Sequence, residues 1–261
     1  MNSYETLKLN GLAENVIEVV LSREGSANAM NTLMSKELKS VFQSNEIQSS
    51  RAVVLTGSGS KAFCAGADLK ERNGMAMDAW REQHHHFEEA IKAISGAPTP
   101  VIAKVNGAAY GGGLEIILAC DFAYAVPGVR FCFSETRLGI IPGLGGIYRL
   151  VKTAGVSVAK EIVLTAAPFE SEQALGWGVV NKVVEKKMLD QETLQSAKNI
   201  AANAPLALSA GKDLIEQVAS RDLDAWTDIE LKKYYKLVES EDRAEGILAF
   251  NEKRKADFQG A

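Results

Sequence analysis

The chain has 261 residues, of which 46% are apolar, and its 33 acidic and 29 basic side chains give a formal net charge of −4. This length and composition suit one large folded domain with a substantial core. The near balance of charge disfavours a nucleic acid-binding protein, because no global positive field attracts phosphates. Glu115 and Asp121 interrupt the longest apolar region, residues 111–126, so we expect neither a membrane-spanning helix nor a membrane partner.

The N-terminal residues and the cysteines bear on the cellular compartment. The chain begins without an apolar signal core, and Glu5 and Glu14 are unusual for a transit peptide. Cys64, Cys120 and Cys132 are odd in number, lack metal-type spacing and have apolar neighbours, which is typical of reduced core residues. We therefore expect a cytoplasmic protein without a bound metal.

Strand and helix patterns alternate along the first two-thirds of the chain. The predicted strands are 4–9, 16–21, 52–56, 101–105, 122–125 and 130–134, and the predicted helices are 32–45, 77–93 and one that opens at glycines 111–113. Such alternation favours an α/β fold with a largely parallel sheet covered by helices.

After about Gly145 the strand patterns nearly vanish, apart from 182–184. Predicted helices there are 156–164, 190–204, 206–220, 223–238 and 240–253. We therefore divide the chain into an α/β core, residues 1–200, and a helical C-terminal region, residues 201–261.

Small residues follow a predicted strand in the segment 61–70, where they would let backbone N–H groups face a ligand. A competing interpretation is a dinucleotide fingerprint built on Gly57, Gly59 and Ala62, with Asp78 near the ribose. That fingerprint needs a helix directly after its glycines, and none is predicted there. Ordinary turn chemistry also explains the two glycines.

Three adjacent glycines, 111–113, begin an apolar helix in the segment 106–115. Each glycine is unfavourable in a helix by roughly 1 kcal/mol relative to alanine, so bare backbone must have a use here. That use is either ligand binding at the free N–H groups or close packing of the helix on the sheet. Glu115 is either a buried carboxyl with a raised pKa or a carboxylate that the helix dipole favours.

A second carboxyl, Glu135, follows a predicted strand and precedes the glycine-containing loop 138–146. Two carboxyls in different environments can supply both an acid and a base to one substrate.

His84, His85 and His86 are the only histidines of the chain. Consecutive helix positions point about 100° apart, so the three cannot bind one metal ion, and a solvated or lid-like helix face is favoured. No nucleophile-elbow motif accompanies them, which argues against a Ser/His/Asp enzyme.

In order along the chain, the motifs 63–70, 111–115 and 135–146 resemble those of the enoyl-CoA hydratase/isomerase (crotonase) superfamily. The resemblance extends from residues 23–31 to 241–246 and 250–255. It implies a crotonase-like spiral of ββα units with a helical C-terminal trimerisation region, and a homotrimer or a dimer of trimers. It also implies an acyl-CoA thioester substrate and no separate cofactor, because coenzyme A is part of the substrate.

The resemblance assigns catalytic positions. The amides of Ala67 and Gly112 match an oxyanion hole that stabilises an enolate, in which one donor is typically worth about 3 kcal/mol. Glu115 and Glu135 match the two glutamates of the hydratases, and Gly143 matches a backbone amide near the attacking water.

The resemblance also implies contacts with the substrate. The pantetheine would follow 67–70, the adenine would lie near 23–29, and Lys253 would contact a phosphate. The positions expected to bind substrate are Ala27, Ala65, Asp68, Leu69, Lys70, Tyr110 and Lys253. Tyr110 stands where a small or aliphatic residue is usual and could reshape the acyl pocket, and Glu24 stands where many relatives have proline.

Both glutamates are present, so the resemblance favours a lyase that adds water across the 2,3-double bond of an acyl-CoA. Residues 138–146 and 160–175 look most similar to hydratases of the methylglutaconyl-CoA type. A 3,2-enoyl-CoA isomerase, in which the Glu115 equivalent is often missing, another enolate enzyme of the superfamily and a non-catalytic acyl-CoA-binding protein remain alternatives.

Overall fold

A computed structural model describes residues 4–218, 236 and 240–261. Strands are β1 (Leu7–Ala13), β2 (Val16–Leu21), β3 (Ala52–Gly57), β4 (Ala62–Cys64), β5 (Val101–Val105), β6 (Ala108–Tyr110), β7 (Phe122–Ala125), β8 (Arg130–Cys132), β9 (Phe169–Glu170) and β10 (Lys182–Val183). Helices are α1 (Thr32–Phe42), α2 (Asn45–Gln48), α3 (Leu69–Arg72), α4 (Met77–Ser95), α5 (Gly112–Ala119), α6 (Gly146–Thr165), α7 (Ser171–Gly176), α8 (Leu189–Ala201), α9 (Pro205–Val218) and α10 (Glu241–Glu252).

The strands form two sheets. The larger has the order β1-β2-β3-β5-β7-β10, and its neighbours are parallel except β1 and β2. The smaller has the order β4-β6-β8-β9, with only the last pair antiparallel. The pairs β3–β4, β5–β6 and β7–β8 each place one strand in the larger sheet and the next in the smaller. These repeated units confirm the predicted parallel α/β spiral.

The core lies between the larger sheet and the helices α1 and α4. Every residue of β3 is buried, as expected for a central parallel strand. Met34, Leu38 and Val41 form the buried stripe of α1, and Asn31 begins that helix by accepting a hydrogen bond from Met34 N at 2.9 Å. Fully burying a side chain of this size stabilises the fold by about 1.5 to 3 kcal/mol.

Several predicted boundaries are wrong. The strand predicted at 4–9 is Leu7–Ala13, the helix predicted at 32–45 ends at Phe42, and the helix predicted at 190–204 ends at Ala201. Ser44 starts the separate short helix α2 by capping it, which explains the break after α1.

The segment after β7 also differs from prediction. The strand predicted at 130–134 ends at Cys132 and belongs to the smaller sheet, whereas β7 belongs to the larger. The helix predicted at 156–164 is the second half of α6, which Gly155 divides at φ 80°. The two-residue strand β9 was missed, because so short a strand has no periodicity to detect.

Helices α9 and α10 confirm the helical C-terminal region. The helix predicted at 223–238 lies outside the described residues, apart from Lys236. Among the described helices, none combines the length and apolar content needed to cross a lipid bilayer.

Candidate active site

One cavity of about 560 Å³ brings together most of the predicted site residues. Its walls come from α4, α5, the loop after β4 and the loop between β8 and α6. The predicted residues that line it are Ala65, Ala67, Leu69, Gly112, Glu115, Glu135 and Gly143. Residues separated by up to 78 positions in the chain therefore share one site.

The backbone around Ala67 is held by a parallel bridge to Met30. Met30 N donates to Gly66 O at 2.7 Å, and Asp68 N donates to Met30 O at 2.9 Å. These bonds fix the peptides on both sides of Ala67 without using its own N–H. That N–H donates to no other described residue.

Gly112 is the first residue of α5, so its N–H has no acceptor within the helix. It also donates to no other described residue. Gly66, at φ +90°, packs so close that a Cβ on it would lie 3.3 Å from Gly112 N and 2.7 Å from Tyr110 O. The loop that carries Ala67 therefore adjoins the N-terminus of α5, which is where an anion is favoured.

Close packing, one of the two uses inferred from the sequence, accounts for two of the three glycines. A Cβ on Gly113 would lie 2.1 Å from Cys64 O, so this glycine lets α5 pack on β4. Gly111 has φ +49°, and a Cβ there would lie 2.8 Å from Glu135 Oε1. The binding of a ligand to the free N–H group of Gly112 stays a prediction.

Glu115 is 2% exposed, and its carboxyl is held by backbone. Its Oε1 accepts hydrogen bonds from Leu144 N at 2.8 Å and from Gly146 N at 2.9 Å. Burial raises the pKa of Glu115, while the two amides and the nearby Arg149 oppose this. The carboxyl is therefore a buried group oriented by a distant loop, and not a surface carboxylate stabilised only by its helix.

Glu135 begins a 3-10 turn, Glu135–Leu138, just beyond β8. Burial, with a further contribution from Glu115, raises its pKa to about 7. Its Oε2 is buried and has no hydrogen-bond partner among the described residues. A carboxyl with such a pKa is present in both protonation states near neutral pH, which suits proton transfer.

The loop after Glu135 contributes an apolar wall. Leu138, Ile140 and Ile141 line the cavity and are 53%, 41% and 62% exposed. His84 also lines it, and its ring packs against Gly143, where a Cβ would lie 2.9 Å from His84 Cε1. His84 is half-buried and stands on the helix face that was predicted to be solvated or lid-like. No group of three metal-ligating side chains occurs in the described part of the chain.

Ala27, Asp68, Lys70, Tyr110 and Lys253 lie outside this cavity. Asp68 forms an ion pair with Arg23 at 2.9 Å and caps α3, accepting from Lys70 N at 3.1 Å. Ala27 O accepts from Ala65 N at 3.1 Å, and Lys253 is exposed after α10. Tyr110 ends β6, with its carbonyl beside Gly66. Their contacts with substrate stay predictions.

The sequence interpretation missed the arginines of the site and the amides that orient Glu115. Arg72 and Trp80 line the cavity, and Arg149 donates to Leu144 O at 3.0 Å beside Glu115. Arg149 lies in the first turn of α6, directly after the glycine-containing loop, and this position in the sequence could have identified it as a site residue.

An α/β spiral that gathers two unpaired amides and two buried carboxyls around one cavity is the arrangement of an enzyme site. A model of the enoyl-CoA hydratase/isomerase family matches residues 11–261. The chain belongs to this family, which is the crotonase superfamily, and relatives named enoyl-CoA hydratases support an enzyme of this type.

Similar proteins cover nearly the whole chain. A short-chain-enoyl-CoA hydratase of Clostridium acetobutylicum is 36% identical over 93% of both chains. A crotonyl-CoA hydratase of Syntrophomonas wolfei is 35% identical over 98% of both. The crystal structure of an enoyl-CoA hydratase from Bacillus anthracis is 36% identical, with a TM-score of 0.95 over 98% of this chain and 100% of that chain. Enzymes of this family generally act on coenzyme A thioesters without a separate cofactor.

Proposed function

We propose that this enzyme adds water across the 2,3-double bond of an enoyl-CoA through an enolate. The observation that carries the proposal is the meeting of two unpaired amides, Ala67 N and Gly112 N, with Glu115 and Glu135 in one cavity. The thioester oxygen accepts hydrogen bonds from both amides. Each such donor typically stabilises the developing negative charge by about 3 kcal/mol.

The two carboxyls handle the water and its protons. Glu115 and Glu135 position and deprotonate the water, whose oxygen bonds to Cβ of the substrate, and Glu135 delivers a proton to Cα. The pKa of Glu135, raised to about 7 by burial and by Glu115, supports this exchange at neutral pH. The amides of Leu144 and Gly146 keep Glu115 in place. Gly143 lines the same cavity, and in this proposal its amide supports the water.

Hydration is tested by following the loss of conjugated thioester absorbance with crotonyl-CoA and with a branched enoyl-CoA. Glu135→Gln keeps the side chain's shape and removes its proton, so kcat should fall by about 10²- to 10⁴-fold with little change in KM. Glu161→Gln, at an exposed glutamate of α6, is the matched control. Inactivity of the unaltered enzyme with every acyl chain, or full activity of Glu135→Gln, contradicts the proposal.

A 3,2-enoyl-CoA isomerase is the second candidate, because the unpaired Oε2 of Glu135 could alone carry a proton between two substrate carbons. Product analysis after reaction in heavy water separates the two reactions. Hydration yields a 3-hydroxyacyl-CoA, whereas isomerisation yields an enoyl-CoA with a shifted double bond. Calorimetric acyl-CoA binding without turnover would instead favour the non-catalytic alternative.

The remaining predictions belong to the same proposal. Coenzyme A lies along residues 67–70, with Lys253 on a phosphate, and the acyl specificity is of the methylglutaconyl-CoA type. Residues 1–200 form the catalytic core, and residues 201–261 complete the site and the interface of a cytoplasmic homotrimer or dimer of trimers. Analytical ultracentrifugation measures that assembly directly.

A further inference from the structure

Arg149, in the first turn of α6, reaches back to the loop that holds Glu115. Its Nη1 donates to Leu144 O at 3.0 Å, and Leu144 N donates to Glu115 Oε1 at 2.8 Å. A single residue, Leu144, therefore joins the guanidinium to the carboxyl. Arg149 does not line the cavity itself, so its effect on the reaction must pass through the groups that it holds.

The other side of the guanidinium is held by a second element. Arg149 Nη2 donates to Ser95 Oγ at 3.2 Å, and that hydroxyl donates to Ile91 O at 3.1 Å. Ser95 is the last residue of α4, and the C-terminus of a helix favours a positive charge. The two terminal nitrogens of Arg149 thus bind two separate elements that both contribute walls to the cavity, α4 and the loop before α6.

The backbone of the loop leaves room for the guanidinium. Gly145 has φ +85°, and a Cβ on it would lie 2.5 Å from Arg149 Nη1. A larger residue would therefore push the guanidinium away from Leu144 O, and the left-handed backbone also disfavours one. The guanidinium lies against bare backbone, directly beside the carbonyl that it binds.

The charge of Arg149 adds to this geometry. Burial lowers the pKa of Arg149, and the charges of Glu216 on α9 and of Glu115 oppose that effect. In turn, the charge of Arg149 opposes the rise in pKa that burial causes at Glu115. A neutral donor could hold Leu144 O at a smaller desolvation cost, which indicates that the charge itself serves the carboxyl.

We propose that Arg149 is a positioning residue for Glu115, which it orients by fixing Leu144 in the loop before α6. This inference rests on the proposed hydratase function and adds to it a residue that acts without touching the substrate. Leu144 N and Gly146 N both donate to Glu115 Oε1, so the carboxyl moves when the loop is released. A displacement of about 1 Å in an active site can lower the rate by about 100-fold.

The first test measures the turnover of crotonyl-CoA. Arg149→Gln should lower kcat by about 10- to 100-fold and change KM by less than about threefold, because the contacts with the substrate stay intact. Arg149→Lys can still donate to Leu144 O and should recover part of the loss. Lys152→Gln removes a positive charge from an exposed position of the same helix, and this matched control should leave kcat unchanged.

The same substitution in a Glu115→Gln background separates positioning from general support of the fold. The carboxylate is already absent there, so Arg149→Gln should lower the remaining kcat by less than about threefold. An equal fold-loss in both backgrounds would overturn the inference. If Arg149→Gln does not fold, Arg149→Lys is compared in the two backgrounds by the same criterion.

Hydrogen exchange of the backbone amides decides the inference even if no enoyl-CoA is hydrated, in which case the proposed function fails. Leu144 N and Gly146 N are protected by their hydrogen bonds to Glu115. Both should exchange about tenfold faster in Arg149→Gln than in the unaltered protein or in Lys152→Gln. Unchanged exchange at both amides would show that Arg149 does not hold the loop, and would overturn the inference whatever the activity.

Discussion

Glu115 and Glu135 occupy one cavity, and burial raises the pKa of both, yet their surroundings differ. Glu115 stands on α5 and accepts two backbone hydrogen bonds from the loop before α6. Glu135 stands in a short turn, with one buried oxygen that has no described partner. The Glu115 carboxyl is therefore fixed by two hydrogen bonds, whereas the Glu135 carboxyl keeps an oxygen without a described hydrogen-bond partner.

This difference in surroundings indicates that the two carboxyls have different tasks. A carboxyl held by two amides keeps its position when its charge changes, which suits the orientation of water. A carboxyl with an unsatisfied buried oxygen gains a partner when a proton or substrate arrives, which suits proton transfer. Substitutions at Glu115, Gly146 and Glu135 test this difference.

The largest loss of activity is expected when Glu115 is substituted. Both Glu115→Gln and Glu115→Ala should lower kcat with crotonyl-CoA by about 10²- to 10⁴-fold, because each removes the carboxylate. Their stabilities should differ. The glutamine oxygen can still accept from Leu144 N and Gly146 N, whereas alanine leaves both donors buried and lowers the free energy of unfolding by roughly 2 to 4 kcal/mol.

Urea unfolding of both variants measures that difference. Glu135→Ala is the comparison across regions. The backbone N–H that interacts with the Glu135 carboxyl is that of Glu135 itself, and no distant loop is held by this carboxyl, so the loss of stability should be smaller. Equal destabilisation by Glu115→Gln and Glu115→Ala would show that the two amides do not hold the carboxyl.

A smaller loss of kcat/KM is expected when the Glu115 carboxyl is displaced but still present. A Cβ on Gly146 would lie 2.6 Å from Glu115 Cγ and 2.8 Å from Phe133 Cζ, so Gly146→Ala must move the carboxyl. A displacement of about 1 Å can lower kcat/KM by about 100-fold. Gly176→Ala, where a Cβ would meet nothing within 4 Å, is the control and should leave kcat/KM unchanged. Unimpaired activity of Gly146→Ala would show that the position of Glu115 is not critical.

The smallest effect is on stability, and it concerns Glu135. The native pKa of about 7 exceeds the ordinary value of 4.5, so between these pH values the folded chain retains a proton that the unfolded chain has lost. Rising pH therefore destabilises the unaltered protein relative to Glu135→Gln. The stability difference should be near zero below pH 4.5 and reach at most roughly 3 kcal/mol above pH 7.

Unfolding of both proteins at one protein concentration, from pH 5 to pH 8, measures this difference. Glu161→Gln is again the control, and its difference from the unaltered protein should stay small throughout. A pH-independent difference for Glu135→Gln would mean that the proton on Glu135 is not held by burial.

Much of the fold followed from local patterns. The strands Val16–Leu21, Val101–Val105 and Phe122–Ala125 lie where their apolar runs predicted, because a buried parallel strand needs a continuous apolar stretch. The short strands β4, β6 and β9 were not predicted. Two or three residues show no periodicity, and their pairing in the second sheet depends on distant segments.

The family and the residues of its motifs can be identified from the amino-acid sequence, since ordered glycine and carboxyl patterns are found without coordinates. The different surroundings of Glu115 and Glu135 are set by tertiary contacts. The hydrogen bonds from Leu144 N and Gly146 N to Glu115 join residues about 30 positions apart. Burial and hydrogen-bond partners set the pKa of a carboxyl, and both come from segments that meet only when the chain folds.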